Sequence, residues 1–589
     1  MSEPQLAKST SLVTVDVGSV NTRAHYFDSV EGQYRLLASG KAPSTNAAPV
    51  MDPNLGVLDA IEIIEKITGR TLISEHGLLI SPNEEEGVGA SALAATFSGG
   101  PPAKVITIGL LEGYSLQSVN HLVQSNYCRL LESFTLGARR NPEELIDTIT
   151  RLLPDIIFVA GGTNSGASRS VIRMTSYLSL AIGLLPDDLK PEVLFVGNES
   201  LHDEVENLLG STGKLHFAPN IRPNLDEENI GPAAKIFERL LFLVLSKTNT
   251  GFNQLTRLSS GHFSPSAAAF GRTIQFLSSV VDYPKGMLGI DLGATNTLIA
   301  SAFDGELNLN VYSDLGIGSG LTGLLKETHI EQIKRWLPLP IPDRDILRYL
   351  YNKPLQAQTL PANQEELAIE QAAARQIIRL AIGRSLPSFH KEGIYPLPET
   401  VPWFDRILVS GSTISEAPSY SQALMMILDA VQPVGIASIV LDQSNLATAL
   451  GASADIDPLL AVQVLESNSF INLATVITPV SKAPKRGLIL RLQVVREGEK
   501  QPIVEVEAGD FVSVPLPPGK AADIFIQPLQ NTNIGLGNGN GGWVRRVAGS
   551  HFGLVIDARG RPIKMPLEAQ DRIALLHQWQ QTLANVAEG

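Results

Sequence analysis

Apolar and polar positions alternate with period two over the first forty residues. Strands are therefore expected at 11–18, 22–28 and 34–39. In NLGVLDAIEIIEKITG the period lengthens, with Val57, Ile61, Ile64 and Ile67 falling on one helical face. From about residue 104, apolar runs (KVITIGLL, DIIFVAGG, EVLFVGN) alternate with amphipathic ones (SVNHLVQSNYCRLLESF, NPEELIDTITRLL). That alternation predicts a parallel αβ unit at about 103–222, inserted in a larger first lobe. DEENIGPAAKIFERLLFLVLS, SPSAAAFGRTIQFLSSVV and EELAIEQAAARQIIRLAIG read as helices. Beyond about 460 the texture changes to short strand-like runs, GLILRLQVV, PIVEVE, DFVSVPL, ADIFIQP and FGLVID, parted by Gly, Pro and Asn turns and closed by a helix in EAQDRIALLHQWQQTLANV. The expected plan is a disordered tail at 1–10, a first lobe at 11–285, a second at 286–460, and a separate small β-rich domain with a terminal helix at 461–589.

One pattern occurs twice. VTVDVGSVNTRAHYFD, residues 13–28, returns as LGIDLGATNTLIASAFDG at 288–305. Each copy has an apolar run ending in an acid, then Gly, a small polar turn with Asn-Thr, and a second apolar run. Backbone N–H groups of such a turn can face a cleft and meet phosphate oxygens as an anion nest. The first copy offers Gly18, Ser19, Asn21, Thr22 and Arg23; the second offers Gly293, Ala294, Thr295, Asn296 and Thr297. Asp16 and Asp291 are the expected catalytic and Mg²⁺-holding carboxylates, because a carboxylate beside polyphosphate is repelled unless a divalent cation lies between. A third element, ILVSGSTIS at 407–415, runs a strand into Ser410, Gly411 and Ser412, where the glycine would let backbone lie against a nucleobase or ribose.

Composition narrows the classes. The 589 residues exceed one core, and 44% apolar with 18% charged residues is a folded, globular profile. A net charge of -14 disfavours nucleic acid and anionic membranes, and no run of residues is apolar and long enough to span a bilayer, so a cytoplasmic protein is expected. Cys128, the only cysteine, excludes a disulfide framework.

The two turns and the Ser-Gly-Ser element, in that order, resemble the phosphate-1, phosphate-2 and adenosine motifs of the actin, Hsp70 and sugar-kinase superfamily. Within it, SGGPPAKVITIGLL, DIIFVAGGTNSGAS, VLFVGN, APNIRPNLDEENIGPA and SDLGIGSG are similar to signatures of the MutL/GlmL family of glutamate-mutase-associated ATPases, a family unrelated to mismatch-repair MutL. The likeness covers roughly residues 11–460. It implies an α/β, two-lobed actin/Hsp70-like ATPase fold with duplicated RNase H-like lobes. It also implies ATP and Mg²⁺ as cofactors and a chaperone-like action on a client protein, a cobalamin-dependent mutase. Two departures bear on hydrolysis: Arg23 replaces the family's usual Lys, and Ala294 with Leu298 replaces a Gly and an Asp of its second motif. A nucleotide-binding scaffold without hydrolysis, or a small-molecule kinase, are the alternatives.

Other signals rank lower. Gly161, Gly162 and Thr163 follow a strand and precede a helix, either as a second anion site or as a tight turn capped by Ser165 or Ser168. Gly318, Gly320 and Gly323 are expected in a loop near the cleft. PIKMPLE reads as an exposed strand, and NTNIGLGNGNGGWVRR as a mobile hairpin loop whose Trp543, Arg545 and Arg546 are candidates for partner contact. His25 and His390 are read as structural. The C-terminal segment is the expected contact for a client or for a second copy in a homo-oligomer.

Overall fold

A computed structural model describes residues 11–587 apart from 83–86, 136–141, 165, 213, 249–250, 283, 390–392, 399, 468 and 482–486. His390 and Ser165 therefore lie outside the described residues.

The first lobe opens as an antiparallel meander, β1 (Leu12–Val17), β2 (Asn21–Val30) and β3 (Gln33–Pro43). The helix Pro53–Thr68 follows, started by the Asp52 carboxylate on the Asn54 N–H and stopped by left-handed Gly69. It buries Val57, Ile61 and Ile64 against the sheet, while Ile67, expected on the same face, is 60% exposed in the last turn. The chain returns as β4 (Ala92–Phe97), parallel to β1.

The inserted unit comes next: β5 (Ala103–Gly109), β6 (Cys128–Thr135), β7 (Ile156–Ala160), β8 (Glu192–Phe195) and β9 (Leu215–Phe217). All pair in parallel in the order β6-β5-β7-β8-β9. The central strands β5, β7 and β8 are buried on both faces, which is why they read as continuous apolar runs. The stretch SVNHLVQSNYCRLLESF, which reads as one amphipathic helix, is helical only to Gln124 and then forms the half-exposed edge strand β6. The helix Gly231–Thr248 completes this layer through Phe237 and Leu240. Short β10 (Phe263–Pro265) then closes the first lobe's sheet beside β4.

In the second lobe β11 (Gly286–Leu292), β12 (Thr297–Phe303), β13 (Glu306–Tyr312), β14 (Phe404–Ser410) and β15 (Gly435–Leu441) repeat the plan. The order β3-β2-β1-β4-β10 in the first lobe becomes β13-β12-β11-β14-β15 here, with the same antiparallel and parallel partners at each step. Two lobes of identical strand order make a duplicated architecture, the RNase H-like plan that the sequence resemblance implies.

A pair of helices joins the lobes. Thr273 in Ser266–Ser278 donates to the Ala447 carbonyl in Leu446–Ser453 at 2.7 Å, and Arg272 donates to the Gly451 carbonyl at 2.9 Å. The helices approach so closely that a methyl on Gly451 would lie 1.8 Å from the Ala269 carbonyl oxygen.

The C-terminal segment departs from expectation. It contains β16 (Ile471–Thr478), β17 (Leu488–Arg496), β18 (Glu499–Lys500), β19 (Val504–Glu507), β20 (Phe511–Val514), β21 (Ala521–Pro528), β22 (Gly542–Ala548) and β23 (Leu554–Asp557). Three of these, β16, β23 and β20, extend the second lobe's sheet beyond β15, and only β17, β18, β19, β21 and β22 form a sheet of their own. The terminal helix Ala569–Ala587 buries Leu576, Trp579 and Leu583 in the second lobe's core. The segment is thus built into that lobe rather than standing apart from it. NTNIGLGNGNGGWVRR is likewise anchored: Asn533 exchanges two backbone hydrogen bonds with Val480, Ile534 is fully buried, and Trp543 stands on β22. PIKMPLE forms turns, not a strand.

Candidate functional site

Both repeated turns close in the same way. The Gly18 N–H donates to the Asn21 carbonyl at 3.1 Å, and the Gly293 N–H to the Asn296 carbonyl at 2.9 Å. A Cβ on either glycine would stand 2.9 Å from that same carbonyl oxygen, so the turn excludes a side chain at this point. Thr22 and Thr297 are fully buried and act as pins rather than cleft donors. Thr22 meets the Ser44 hydroxyl at 2.9 Å, and Ser44 in turn donates to the Gly18 carbonyl; Thr297 donates to the Leu315 carbonyl at 2.8 Å. Asn296 is also buried. Ser19 and Thr295 do reach open space: both line an interlobe cavity of about 1510 Å³ that the inserted unit also borders. Asn21 begins β2 half-buried.

Beside the second turn lies the loop of Gly316, Gly318 and Gly320. The Gly318 and Gly320 N–H groups donate to the Ala294 carbonyl at 2.7 and 3.2 Å, and Thr295 shares a hydrogen bond with Ser319. This loop borders the cavity through Ser319, while Gly323, expected in the loop, lies instead in the first turn of the helix Leu321–Glu327.

The two turn carboxylates are near enough for the charge of Asp16 to act on Asp291. Asp16 accepts from Thr96 at 2.7 Å and from Ser266 at 2.6 Å, the latter belonging to the interlobe helix. Asp291 is pushed up to about 7 by burial first, then by the charges of Asp16 and Asp442, with Arg23 opposing them. Arg23 stands directly opposite Asp16 in the β1/β2 pair and reaches over to the Ser412 hydroxyl at 2.6 Å, joining one lobe to the other. At the equivalent place opposite Asp291 stands Leu298, buried in an apolar cluster with Phe270 and Ile274. The duplication is therefore symmetric in backbone and asymmetric in charge.

At the third element the Ser410 hydroxyl donates to Asp442, which also receives the Leu446 and Ala447 N–H groups at the start of their helix. Burial nevertheless raises the Asp442 pKa. Gly411 sits at φ 109°, where a methyl would lie 2.3 Å from the Leu292 carbonyl oxygen, and its N–H donates to the Asn445 side chain. Its freedom is used by the neighbouring strand, not by space left for a base. Thr96, Ser266, Asp442 and Asn445 were missed by sequence reasoning. Asp442 and Asn445, four and one positions before the helix that starts at Leu446 in LDQSNLATAL, carried a local signal, that of polar side chains at a helix start.

The donor set was tested against Mg²⁺. Among the described residues no three His, Cys, Asp or Glu side chains converge as a metal cluster. Two neighbouring carboxylates, one holding its proton toward neutrality because of burial first and the other's charge second, suit a hard cation whose remaining ligands are phosphate oxygens and water. The residues fit.

Gly161, Gly162 and Thr163 lie apart, at the end of β7. Methyls on the two glycines would press on Leu110 and on the Ala167 carbonyl, and Asn220 fills the turn by donating to the Gly162 carbonyl at 3.0 Å. Ser168 precedes the helix Arg169–Gly183 without a side-chain capping bond. Packing alone accounts for both glycines.

Several solved structures resemble this chain weakly. An acetone carboxylase in nucleotide-free form has 13% identity and a TM-score of 0.32, over 85% of this chain and 81% of that one. A diol dehydratase-reactivating factor in nucleotide-free form has 10% identity and a TM-score of 0.30, over 76% and 99%. The (R)-2-hydroxyglutaryl-CoA dehydratase component A of Acidaminococcus fermentans has 7% identity and a TM-score of 0.25, over 77% and 97%. None of the curated proteins matches. The model of one family, described as MutL protein, matches residues 12–469, nearly the whole span of both lobes and their insertion, and the chain belongs to that family.

Proposed function

We propose that this protein is an Mg²⁺- and ATP-dependent conformational machine whose lobes close on nucleotide and pass the movement to a client protein. The observation that carries the reading is that Asp16 and Asp291, each before the same turn of its own lobe, lie close enough for the charge of one to act on the other. Mg²⁺, when bound, neutralises phosphate charge and holds phosphate and water oxygens. The chain's own residues supply the rest. Backbone N–H groups around Gly18 and Gly293 face the polyphosphate, Ser19 and Thr295 add hydroxyl donors, and Arg23 adds a positive charge from the first lobe. Because Arg23 reaches Ser412 on the second lobe, a phosphate held beside its guanidinium meets donors of both lobes only when they are together. That difference gives the closed form the higher affinity for nucleotide, the condition for a ligand to drive closure.

The client in this reading is a cobalamin-dependent mutase or a related enzyme, in keeping with the family. Thermal unfolding with and without Mg-ATP tests the reading. Saturation at a hundredfold excess over Kd stabilises the wild type by about 2.7 kcal/mol. Asp16→Ala and Asp291→Ala abolish the shift; an undiminished shift in both variants overturns the reading.

A second reading, binding without hydrolysis, is favoured by Leu298. An apolar side chain buried opposite Asp291 leaves that position unable to orient an attacking water. Phosphate release by the purified protein separates the two: turnover that survives in wild type and is lost in Asp291→Ala supports the first, and binding with no turnover supports the second.

A further inference from the structure

A second cavity, of about 1000 Å³, lies between the helix Gln364–Ser385, the strand β17 and the turn at 558–564. Its walls are apolar at Leu397, Val401, Val431, Val480 and Ile489. Its charges are one-sided: Arg379, Arg384, Arg559, Arg561 and Lys564 line it, and no Asp or Glu does among the described residues. In a chain with net charge -14, this concentration of cations needs a cause.

Arg384 is paired with Asp314 and Glu327, but the ion pairs behind the wall do not balance the other cations. Asp429 pairs with Arg375 at 2.9 Å and with Arg559 at 2.8 Å, while Asp557 pairs with Arg559 at 2.8 Å and with Arg561 at 3.0 Å. Arg335 lies close to Asp429 and Arg379, donating to the Ile563 carbonyl, and has no carboxylate in salt-bridge range among the described residues. Arg379 has none either, and no hydrogen bond to any described residue. Five guanidiniums thus face two carboxylates in a largely desolvated region, an arrangement costly without a compensating anion. Burial holds Arg335, Arg379 and Arg561 below the usual arginine range, and Arg379 is lowered further by Arg335 and Arg561. A separate sign points the same way: the Thr532 hydroxyl in the wall is buried, 1% exposed, and without a hydrogen-bond partner, as is the Nε of Arg335.

We propose that this cavity binds an organic anion, a molecule bearing a phosphate or carboxylate group on an apolar body, with Arg379 as its chief charge partner and exposed Lys564 at the mouth. The guanidinium is suited to either head group because its planar fork meets two oxygens at once. The volume matches that of sites for small organic ligands. The site is distinct from the interlobe cleft, although Arg384 lines both cavities.

Calorimetric titration and thermal unfolding of the full chain, in a low-salt buffer without nucleotide, test this with four probes: inorganic phosphate, phenyl phosphate, acetate and 3-phenylpropionate. The expected result is binding of at least one aryl-bearing probe, tenfold or more tighter than its short counterpart; whichever head group prevails identifies the ligand class. In Arg379→Met that affinity falls at least tenfold while the ligand-free protein unfolds at an equal or higher temperature, because a surplus charge has been removed. Lys564→Met weakens binding severalfold with unfolding unchanged. Three results overturn the proposal: no probe stabilises wild type more than Arg379→Met, aryl and short probes bind equally, or Arg379→Met unfolds at a lower temperature without ligand. Since no arm contains nucleotide, the outcome is independent of the cleft.

Discussion

Replacing Asp291 by Asn tests whether burial, joined by the charge of Asp16, destabilises the ionised carboxylate in its native place. In the native state its pKa is pushed up to about 7 from an ordinary value of 3.8. Between those limits the native protein holds a proton that the unfolded chain has released, so stability falls as pH rises from about 4 to about 7 and is level above. A shift near three units, at 1.36 kcal/mol each, places the ceiling at about 4 kcal/mol. Asp291→Asn preserves shape without the charge. Denaturant unfolding in metal-free, nucleotide-free buffer is therefore expected to show the variant level with wild type near pH 4.5 and more stable at pH 8, by up to about 4 kcal/mol. Asp16→Asn, by removing the neighbouring charge, recovers part of the same gain, and the double variant gains less than the sum. A variant no more stable than wild type at pH 8, or a difference that does not change with pH, refutes the reasoning.

His25 makes a prediction of opposite sign. Burial, with the Arg23 charge, lowers its pKa to about 3, and its Nε2 has no hydrogen-bond partner. Its contribution is complete above pH 6.5 and is lost as pH falls toward 3, at about 1.4 kcal/mol per pH unit; His25→Phe should show a shallower acid-unfolding slope than wild type by that amount. At the interlobe helix pair, Gly451→Ala places a methyl 1.8 Å from the Ala269 carbonyl oxygen, so overpacking should cost about 1–3 kcal/mol in thermal or denaturant unfolding, against a near-neutral or stabilising change if the helices did not touch.

Much of this architecture could be read from the residues. The repeat of Asp-x-Gly with Asn-Thr foretold two lobes of one design because identical local turn chemistry needs the same strand pairing on either side. The inserted strands β5, β7 and β8 declared themselves by unbroken apolar runs, whereas the edge strands β6 and β9, half-exposed and partly polar, did not. What failed was non-local. Nothing in DFVSVPL or FGLVID distinguishes a strand of a separate sheet from β20 and β23, which complete the second lobe, since periodicity reports the faces of a strand and not its neighbour. Thr22, Thr297 and Gly411 were assigned to ligand because small polar turns and glycines serve phosphate and packing equally; only the buried partners Ser44, Leu315 and Leu292 decide between them. The guanidinium cluster was invisible because Arg379 and Arg561 are far apart in the chain, and PIKMPLE, which reads as an exposed strand, gives no sign that Pro562 and Lys564 line a cavity.

The most direct test of the two-turn clamp is isothermal titration of wild type with ATP, once with Mg²⁺ and once with EDTA, beside Asp16→Asn and Asp291→Asn. The clamp predicts one nucleotide per chain, affinity at least tenfold weaker without the cation, and loss of that cation dependence in either variant. Equal affinity in Mg²⁺ and EDTA, or cation dependence unchanged in both variants, would contradict it.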